Sequence, residues 1–536
     1  MHNDSASSEA PLRRVPQDEH GLSARLPRSF GAILREHARE RPDAPALSCG
    51  EESWSFAELD AWAGRIASAL VAAGIGPGDR VGVLSRNCAE FFALIFACNK
   101  AGAILVGLNW RLAPPEIDAI VADARPSVVF VGISGEADLL SPQARRTPGL
   151  TQVVAFGPEF RAFVDAGPGG DPGREGGPDD VALILYTSGT TGLPKGAMLT
   201  NRGMAFTRSL GEAWGMGPDS VNLVAMPLFH IGGCGYGTST LLVGGHTVLM
   251  RDVDLPLIVR TVEAKRVTHA FFVPTVVQGL LRVPGIETAD LSSLRLLMYG
   301  ASPIGETLLR EALERLSCGF MQAYGMTETS GTVVVLEPAE HGLGPEHAAR
   351  LRSCGRALPF VELRITDPFT LEEAPTGSVG EIWIRSGMVM KGYWENPAAT
   401  ADAITPDGWL RTGDAAFQDG NGYVTLFDRF KDMIISGGEN IYPAEIDNVL
   451  LAHPAILEAA VIGVSHERWG ETPRAVVVLR PGEALDGPGL IDFTRTRLAR
   501  YKCPTSVVFV DSLPRNASGK LLKRELRRLG ADAAPV

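Results

Sequence analysis

Short apolar runs alternating with helix-periodic segments constrain this chain more than any other feature. The runs VGVL (81–84), AILV (103–106), SVVFV (127–131) and VALILY (181–186) are separated by amphipathic stretches such as 59–73, 90–100 and 115–124. Strands this apolar must be covered on both faces, which points to an α/β fold built on a doubly wound parallel sheet. Ser55 and Glu58 have the spacing of a capping box at the start of one helical stretch. A Gly/Pro/Asp-rich segment, 167–180, reads as a linker or surface loop, after which the alternation resumes to about residue 316. Beyond 353 the texture changes to short strands between Gly/Pro turns (361–366, 380–385, 422–427), a small β-barrel-like subdomain. From about 429 a helix (443–452) and strands (459–463, 474–479, 506–510) make a separate small α+β domain.

Composition narrows the function classes. The 536 residues leave room for several cores, so a small binding module is excluded. A net charge of −12 argues against a general nucleic-acid or anionic-membrane binder. Seven cysteines with no CxxC pair indicate neither a disulfide scaffold nor a zinc site and fit the reducing cytoplasm. No stretch reaches the roughly 18 apolar residues of a membrane span; the nearest, 91–108, is broken by Asn99 and Lys100 and reads as a buried helix leading into a strand. Residues 1–27 have no apolar signal region and read as a disordered tail.

The sharpest local signal is YTSGTTGLPKG at 186–196, directly after an apolar strand. Its glycines let the backbone curl. The hydroxyls of Thr187, Ser188, Thr190 and Thr191, the backbone N–H groups around Gly189, and the Lys195 ammonium can together ring a phosphate. It is not a Walker A loop, because Lys195 is followed by Gly196.

This loop resembles the signature of the adenylate-forming superfamily, which includes acyl- and aryl-CoA synthetases, peptide-synthetase adenylation domains and beetle luciferases. Four further motifs follow in that family's order: YGMTE (324–328) after GAS (300–302), DGWLRTGD (407–414), FDRFKD (427–432) with IISGGENIYP (434–443), and PRNASGK (514–520). The resemblance runs from about residue 30 to 529. It implies that Gly300, Ala301, Ser302, Tyr324 and Gly325 hold the adenine, that Thr327 binds the α-phosphate, and that Glu328 is the Mg²⁺ carboxylate. Asp414 and Arg429 are expected at the ribose, and Lys520 at the reacting carboxylate and phosphate. Lys431 falls where the family places its hinge, and Ser436, Gly437, Gly438 and Glu439 where it lines a thiol tunnel. The implied organisation is a large ATP- and acid-binding domain (28–430), with two doubly wound βα subdomains and the β-barrel-like one, joined to a mobile α+β domain (431–536).

The stretch MPLFHIGGCGYG (226–237) is expected to wall the acyl pocket, with His230 beside the carboxylate. Amino-acid-activating relatives carry Asp where His230 stands, which argues against an amino-acid substrate. Phe229, Gly235, Phe272 and Val273 are expected to line the pocket, the glycines of 232–237 to relieve bulk, and Val276 and Val277 to add apolar surface. The preferred reading is an AMP-forming acyl-CoA ligase for a medium- or long-chain fatty acid, using ATP, Mg²⁺ and CoA. An aryl or steroid-side-chain acid, an acyl-AMP ligase loading a carrier protein, a luciferase-like oxygenase and a non-catalytic scaffold are the alternatives. The scaffold is disfavoured by the presence of Lys195, Glu328, Asp414, Arg429 and Lys520, and a multidomain synthetase by the absence of a carrier module before Val536. A homodimer stays open. Residues 429–536 carry a net +2 and the window 491–528 a local +7, read either as a steering patch for ATP or CoA or as a solvated basic face.

Overall fold

The computed structural model describes residues 29–174, 176–187, 194–302, 304–429, 432–436, 439–515 and 521–532. Two large sheets, one small antiparallel sheet and a C-terminal sheet make up the chain. The first large sheet has six strands, ordered Gln152–Ala155, Val128–Val131, Arg80–Leu84, Ile104–Leu108, Val181–Thr187 and Lys195–Thr200. All neighbours are parallel except the final hairpin. The capping box forms as expected, with Ser55 Oγ accepting from Glu58 N–H and the Glu58 carboxylate accepting from Ser55 N–H. The 91–108 stretch is a buried helix, Ala89–Ala101, feeding the strand Ile104–Leu108.

Two features depart from the simple succession of subdomains. Val181–Thr187 and Lys195–Thr200 complete the first sheet and do not begin the second. The early strands Pro45–Cys49 and Glu52–Ser55 cross over to the second sheet, where Leu47 pairs with Thr247. Residue pattern sets strand character, whereas the partner is set by which apolar faces meet in three dimensions. Segment 167–180 is a tied surface loop. Asp171 bonds both Arg35 (2.7 Å) and the fully buried Lys100 (2.5 Å), and Lys100 also reaches Asp60 (2.6 Å). These two cations hold the Asp171 carboxyl well below the usual carboxylate range, against the opposing pull of burial.

The second sheet has nine strands, its centre formed by Val221–Val224, His269–Phe272, Leu296–Gly300 and Gly319–Met326 running parallel. The small β subdomain is a meander of Glu362–Thr366, Gly380–Arg385, Leu410–Gln418 and Val424–Arg429. Val424 bridges to Gly355 beside the large sheet. The C-terminal sheet centres on the long hairpin Ile456–His466 and Gly470–Leu479, with Ser506–Phe509 added in parallel. It has its own core of Ile434, Ile446, Leu450, Val461, Val477 and Val507. Among the described residues, no helix is long and apolar enough to cross a membrane. All seven cysteines are unpaired.

Candidate active site

Several expected site residues, Thr187, Ala301, Thr327 and Val273 among them, stand at the carboxyl ends of parallel strands, where open α/β sheets bind ligands. The phosphate motif begins and ends in paired antiparallel strands, where Thr187 and Lys195 face each other. Ser188, Gly189, Thr190 and Thr191 lie outside the described residues. The stem is pinned by a strap at 391–394. Trp394 N–H donates to Gly196 O (2.7 Å), Met198 N–H to Gly392 O (2.9 Å), and Lys391 N–H to Met198 O (2.9 Å). A side chain at 196 would meet Ile184 Cγ2 at 2.8 Å and Tyr186 Cζ at 3.1 Å, so only glycine allows this seam. Tyr186 Oη in turn donates to Asp123 (2.5 Å), and Trp394 Nε1 to Asp123 O (3.2 Å).

At the end of Leu296–Gly300 the chain makes a tight passage. A Cβ on Gly300 would lie 2.2 Å from Ala323 O, and one on Gly325 would lie 2.0 Å from Gly331 O. Ala301 has φ +65°, a left-handed conformation that costs an L-residue about 1–2 kcal/mol. Such strain is tolerated where a binding loop needs it; Ser302 follows, half-buried. Tyr324 Oη donates to Asp414 Oδ2 (2.8 Å). Burial first, and then the Asp414 charge, push the Tyr324 phenol far above its ordinary value, so it remains a donor. Asp414 pairs with Arg429 across the last two strands of the meander, which puts both expected ribose ligands at one level; the Arg429 side chain is outside the described set.

Thr327 opens the short turn Thr327–Thr329, and its neighbour Glu328 is buried. Tyr393 Oη donates to Glu328 Oε1 (2.8 Å), and Lys195 Nζ stands 5.1 Å from the centroid of the same Tyr393 ring. Glu328 O accepts from Met390 N–H (2.8 Å), so the strap that pins the phosphate hairpin also holds the carboxylate. Tyr393 thus joins Lys195 to Glu328, a link missing from the sequence reading. Its only local trace is the KGYW run at 391–394. Among the described residues no group of three or more His, Cys, Asp or Glu could hold a metal. A cation here would take most ligands from phosphate and water, as Mg²⁺ does. Glu328, with Oε1 engaged by Tyr393, fits a single-carboxylate site.

The residues expected to wall the acid lie on and before the helix Ile231–Leu242, with His230 as its N-cap residue. His230 Nε2 is buried and, among the described residues, has no hydrogen-bond partner, a state that costs about 1–3 kcal/mol unless a ligand or water meets it. Burial, with a smaller push from the Arg111 guanidinium, holds the imidazole down to about 4, so it is neutral at pH 7. The Phe229 ring lies 4.6 Å from it. The glycines divide into two kinds. A Cβ on Gly233 would strike Pro227 O at 2.0 Å, and one on Gly237 would touch Phe92 and Val224, so these two serve close helix packing. Gly232 and Gly235 instead sit against side-chain ends, a Cβ on Gly232 meeting the Phe271 ring edge at 3.2 Å and one on Gly235 the flexible Cδ1 of Ile231 at 2.9 Å. Alternation along His269–Phe272 sends Phe271 toward this helix and the fully buried Phe272 to the other face. Phe271 is therefore the ring at the wall. Val273 is buried at the start of the helix Pro274–Leu280.

In the C-terminal domain Ser436 pairs with Glu439 and with Gly470. Gly437, Gly438, Lys431 and Lys520 lie outside the described residues, as does the Glu439 side chain. On either side of the segment that contains Lys520, Arg515 and Leu521 form an antiparallel bridge. The two domains meet where the Tyr442 ring packs 4.8 Å from Phe427. Part of the local +7 is offset in space: Lys502 pairs with Glu445 (2.7 Å), Arg515 with Glu458 (2.5 Å) and Arg527 with Asp432 (2.9 Å), all acids from outside that window.

Comparison with known proteins matches residues 34–394 to the AMP-binding enzyme family and 445–520 to the AMP-binding enzyme C-terminal domain. Feruloyl-CoA synthase of Amycolatopsis sp is 42% identical, over 93% of this chain and 98% of the relative. The fatty acid–[acyl-carrier-protein] ligase ScoC of Streptomyces coeruleorubidus is 38% identical, over 93% and 96%. ATP-bound MatB from Rhodopseudomonas palustris superposes with a TM-score of 0.87 at 33% identity, covering 94% of this chain and 99% of that one. Apo MatB has the same identity and coverage but a TM-score of 0.77, so the fold here lies nearer the ATP-bound arrangement.

Proposed function

The chain belongs to the AMP-binding enzyme family and is an AMP-forming acid–thiol ligase, and on that premise we propose that it activates a hydrophobic carboxylic acid and transfers the acyl group to CoA. The observation that carries this reading is the convergence of Lys195, Tyr393 and Glu328 beside the strained Gly300–Ala301 passage and the Tyr324–Asp414 pair.

A carboxylate is a poor acyl donor because oxide would have to leave. Attack of its oxygen on the α-phosphorus of ATP forms acyl-AMP and expels pyrophosphate, a displacement governed by positioning and charge. In this reading Tyr324 and the Gly300 passage seat the adenine, while Asp414 and Arg429 hold the ribose. Thr327 and the hairpin hydroxyls take phosphate oxygens, and Lys195 supplies positive charge. Mg²⁺ bound at Glu328 would neutralise triphosphate charge. His230, neutral and unpartnered at Nε2, donates to the acid carboxylate, and Lys520 offsets charge that develops between acid and phosphate. Rotation about Lys431 then withdraws Lys520 and brings Ser436–Glu439 to the adenylate, where a thiol attacks and AMP leaves.

The medium- or long-chain fatty acid favoured on sequence competes with an aryl acid. The ring set of Phe271, Tyr236 and Trp214 favours the aryl reading. A carrier protein as acceptor is the second reading, supported by the likeness to ScoC. The unpaired cysteines support a reducing compartment such as the cytoplasm. The test is acid-dependent AMP formation across a panel of acids, with CoA, with a carrier protein, and with neither. AMP and thioester with CoA are expected; adenylate without CoA thioester would transfer the reading to a carrier, and no AMP release at all would remove it.

A further inference from the structure

The far end of the acid wall carries polar groups that the protein leaves unanswered. Tyr236 and Trp214 are both only 6% exposed, with ring centroids 5.9 Å apart. Neither Tyr236 Oη nor Trp214 Nε1 has a hydrogen-bond partner among the described residues. Beside them the fully buried Asn222 donates its amide to Tyr236 O (3.3 Å) and leaves Oδ1 unpartnered. A core meant only to be apolar would not retain a phenol, an indole N–H and an amide oxygen in one neighbourhood, because each has lost water without gaining a partner.

Their position relates them to the reacting end. Tyr236 follows Gly232 by one helical turn, so both lie on one face of the helix Ile231–Leu242. The Phe271 ring bridges them, 5.5 Å from Tyr236 and close enough to Gly232 that a Cβ there would meet Phe271 Cε1 at 3.2 Å. Six residues separate Tyr236 from His230, about 9 Å along the helix at ~1.5 Å per residue. His230, Gly232, Phe271 and the Tyr236–Trp214 pair thus follow one another along this helix, with an unpartnered His230 Nε2 (among the described residues) at one end and unpartnered Tyr236 Oη and Trp214 Nε1 at the other.

Resting on the reading that His230 faces the carboxylate, we infer that the acid site closes at Tyr236 and Trp214 and takes a compact, flat acid bearing a hydroxyl, ether or carbonyl oxygen about 9 Å from its carboxylate. The oxygen accepts from the Tyr236 hydroxyl or the Trp214 N–H, and a hydroxyl can also donate to Asn222 Oδ1. The flat body packs on Phe271. A long straight-chain acid would have to drive its tail through this polar, ring-closed end, so it is a poor substrate.

The experiment uses the full chain and matched acids. The pairs are a phenylpropenoic acid with and without a para-hydroxyl, and octanoate with and without an 8-hydroxyl, with hexadecanoate as the long-chain control. Binding is measured by calorimetry and turnover by AMP release. The wild type should favour the oxygenated member of each pair by about tenfold or more, because the alternative leaves buried donors unpaired. Tyr236→Phe should bring that ratio close to one, chiefly by weakening the oxygenated member, since the hydroxyl is the contact removed. The apo Tyr236→Phe protein should melt no lower than the wild type, because it loses a hydroxyl that has no partner; Trp214→Phe serves as the second variant. A wild-type ratio near one, a ratio that survives both substitutions, or hexadecanoate as the best acid would overturn the inference. Failure of the ligase reading looks different: oxygenated acids would bind selectively, yet no acid would release AMP.

Discussion

At the nucleotide end of the site, functional side chains hold one another. Tyr324 is tied to Asp414, Glu328 to Tyr393, and Lys195 stands over the Tyr393 ring. At the acid end His230 Nε2, Tyr236 Oη and Trp214 Nε1 have no partner among the described residues. In the proposed function the first region meets a ligand that never changes and is preorganised by its own hydrogen bonds, whereas the second would be completed only when the right acid arrives, so that its unpaired groups would carry the selectivity.

Four changes would break or sharpen that contrast. The largest effect is expected from Glu328→Gln, which removes the carboxylate proposed to hold the metal while keeping its shape. Adenylation, read as ATP–pyrophosphate exchange, should fall about 10²–10³-fold for every acid alike; a loss confined to some acids would merge the two regions into one. Lys431→Pro should cut thioester formation about 10²-fold while exchange persists, because proline fixes the dihedral that domain rotation must change. Equal loss of both half-reactions would count against the hinge. Tyr393→Phe should raise the Mg²⁺ concentration for half-maximal exchange about three- to tenfold, the scale of one hydrogen bond to a charged group, with little change in acid KM. An unchanged metal requirement would reduce Tyr393 to a packing residue.

The smallest effect concerns pH. Burial holds His230, His246, His269 and His341 down to about 4, against 6.5 in the unfolded chain. Between those values the unfolded chain binds the protons that the folded one refuses. Stability should therefore fall as pH drops from about 6.5 toward 4, by up to ~1.4 kcal/mol per pH unit for each group. Urea midpoints at pH 7, 6 and 5 check this, and a flat profile would show that these imidazoles are not held neutral. Exchange should show no acid limb near pH 6.5 from His230.

The hairpin stem was legible because its motif is contiguous: a strand, a Gly/Ser/Thr run and a lysine occupy eleven letters, and Thr187 and Lys195 pair across it. Tyr393 was not, since it is 65 residues from Glu328 and reaches it only because the 391–394 strap pairs with Lys195–Thr200. The acid end was legible as a wall but not in detail. Adjacent Phe271 and Phe272 are alike as letters, and only strand register decides which faces the helix. Gly233 and Gly237 looked like relief of bulk and are packing contacts. The crossing of 45–55 into the second sheet was hidden for the same reason, because local pattern specifies a strand and not its neighbour.

The central claim is that this site joins a fixed nucleotide half to an acid half that must be filled before chemistry begins. Exchange of labelled pyrophosphate into ATP, run without CoA, with and without an oxygenated aryl acid, tests it most directly. Exchange that requires the acid and proceeds without CoA is the predicted result; exchange that ignores the acid, or that appears only when CoA is added, would contradict it.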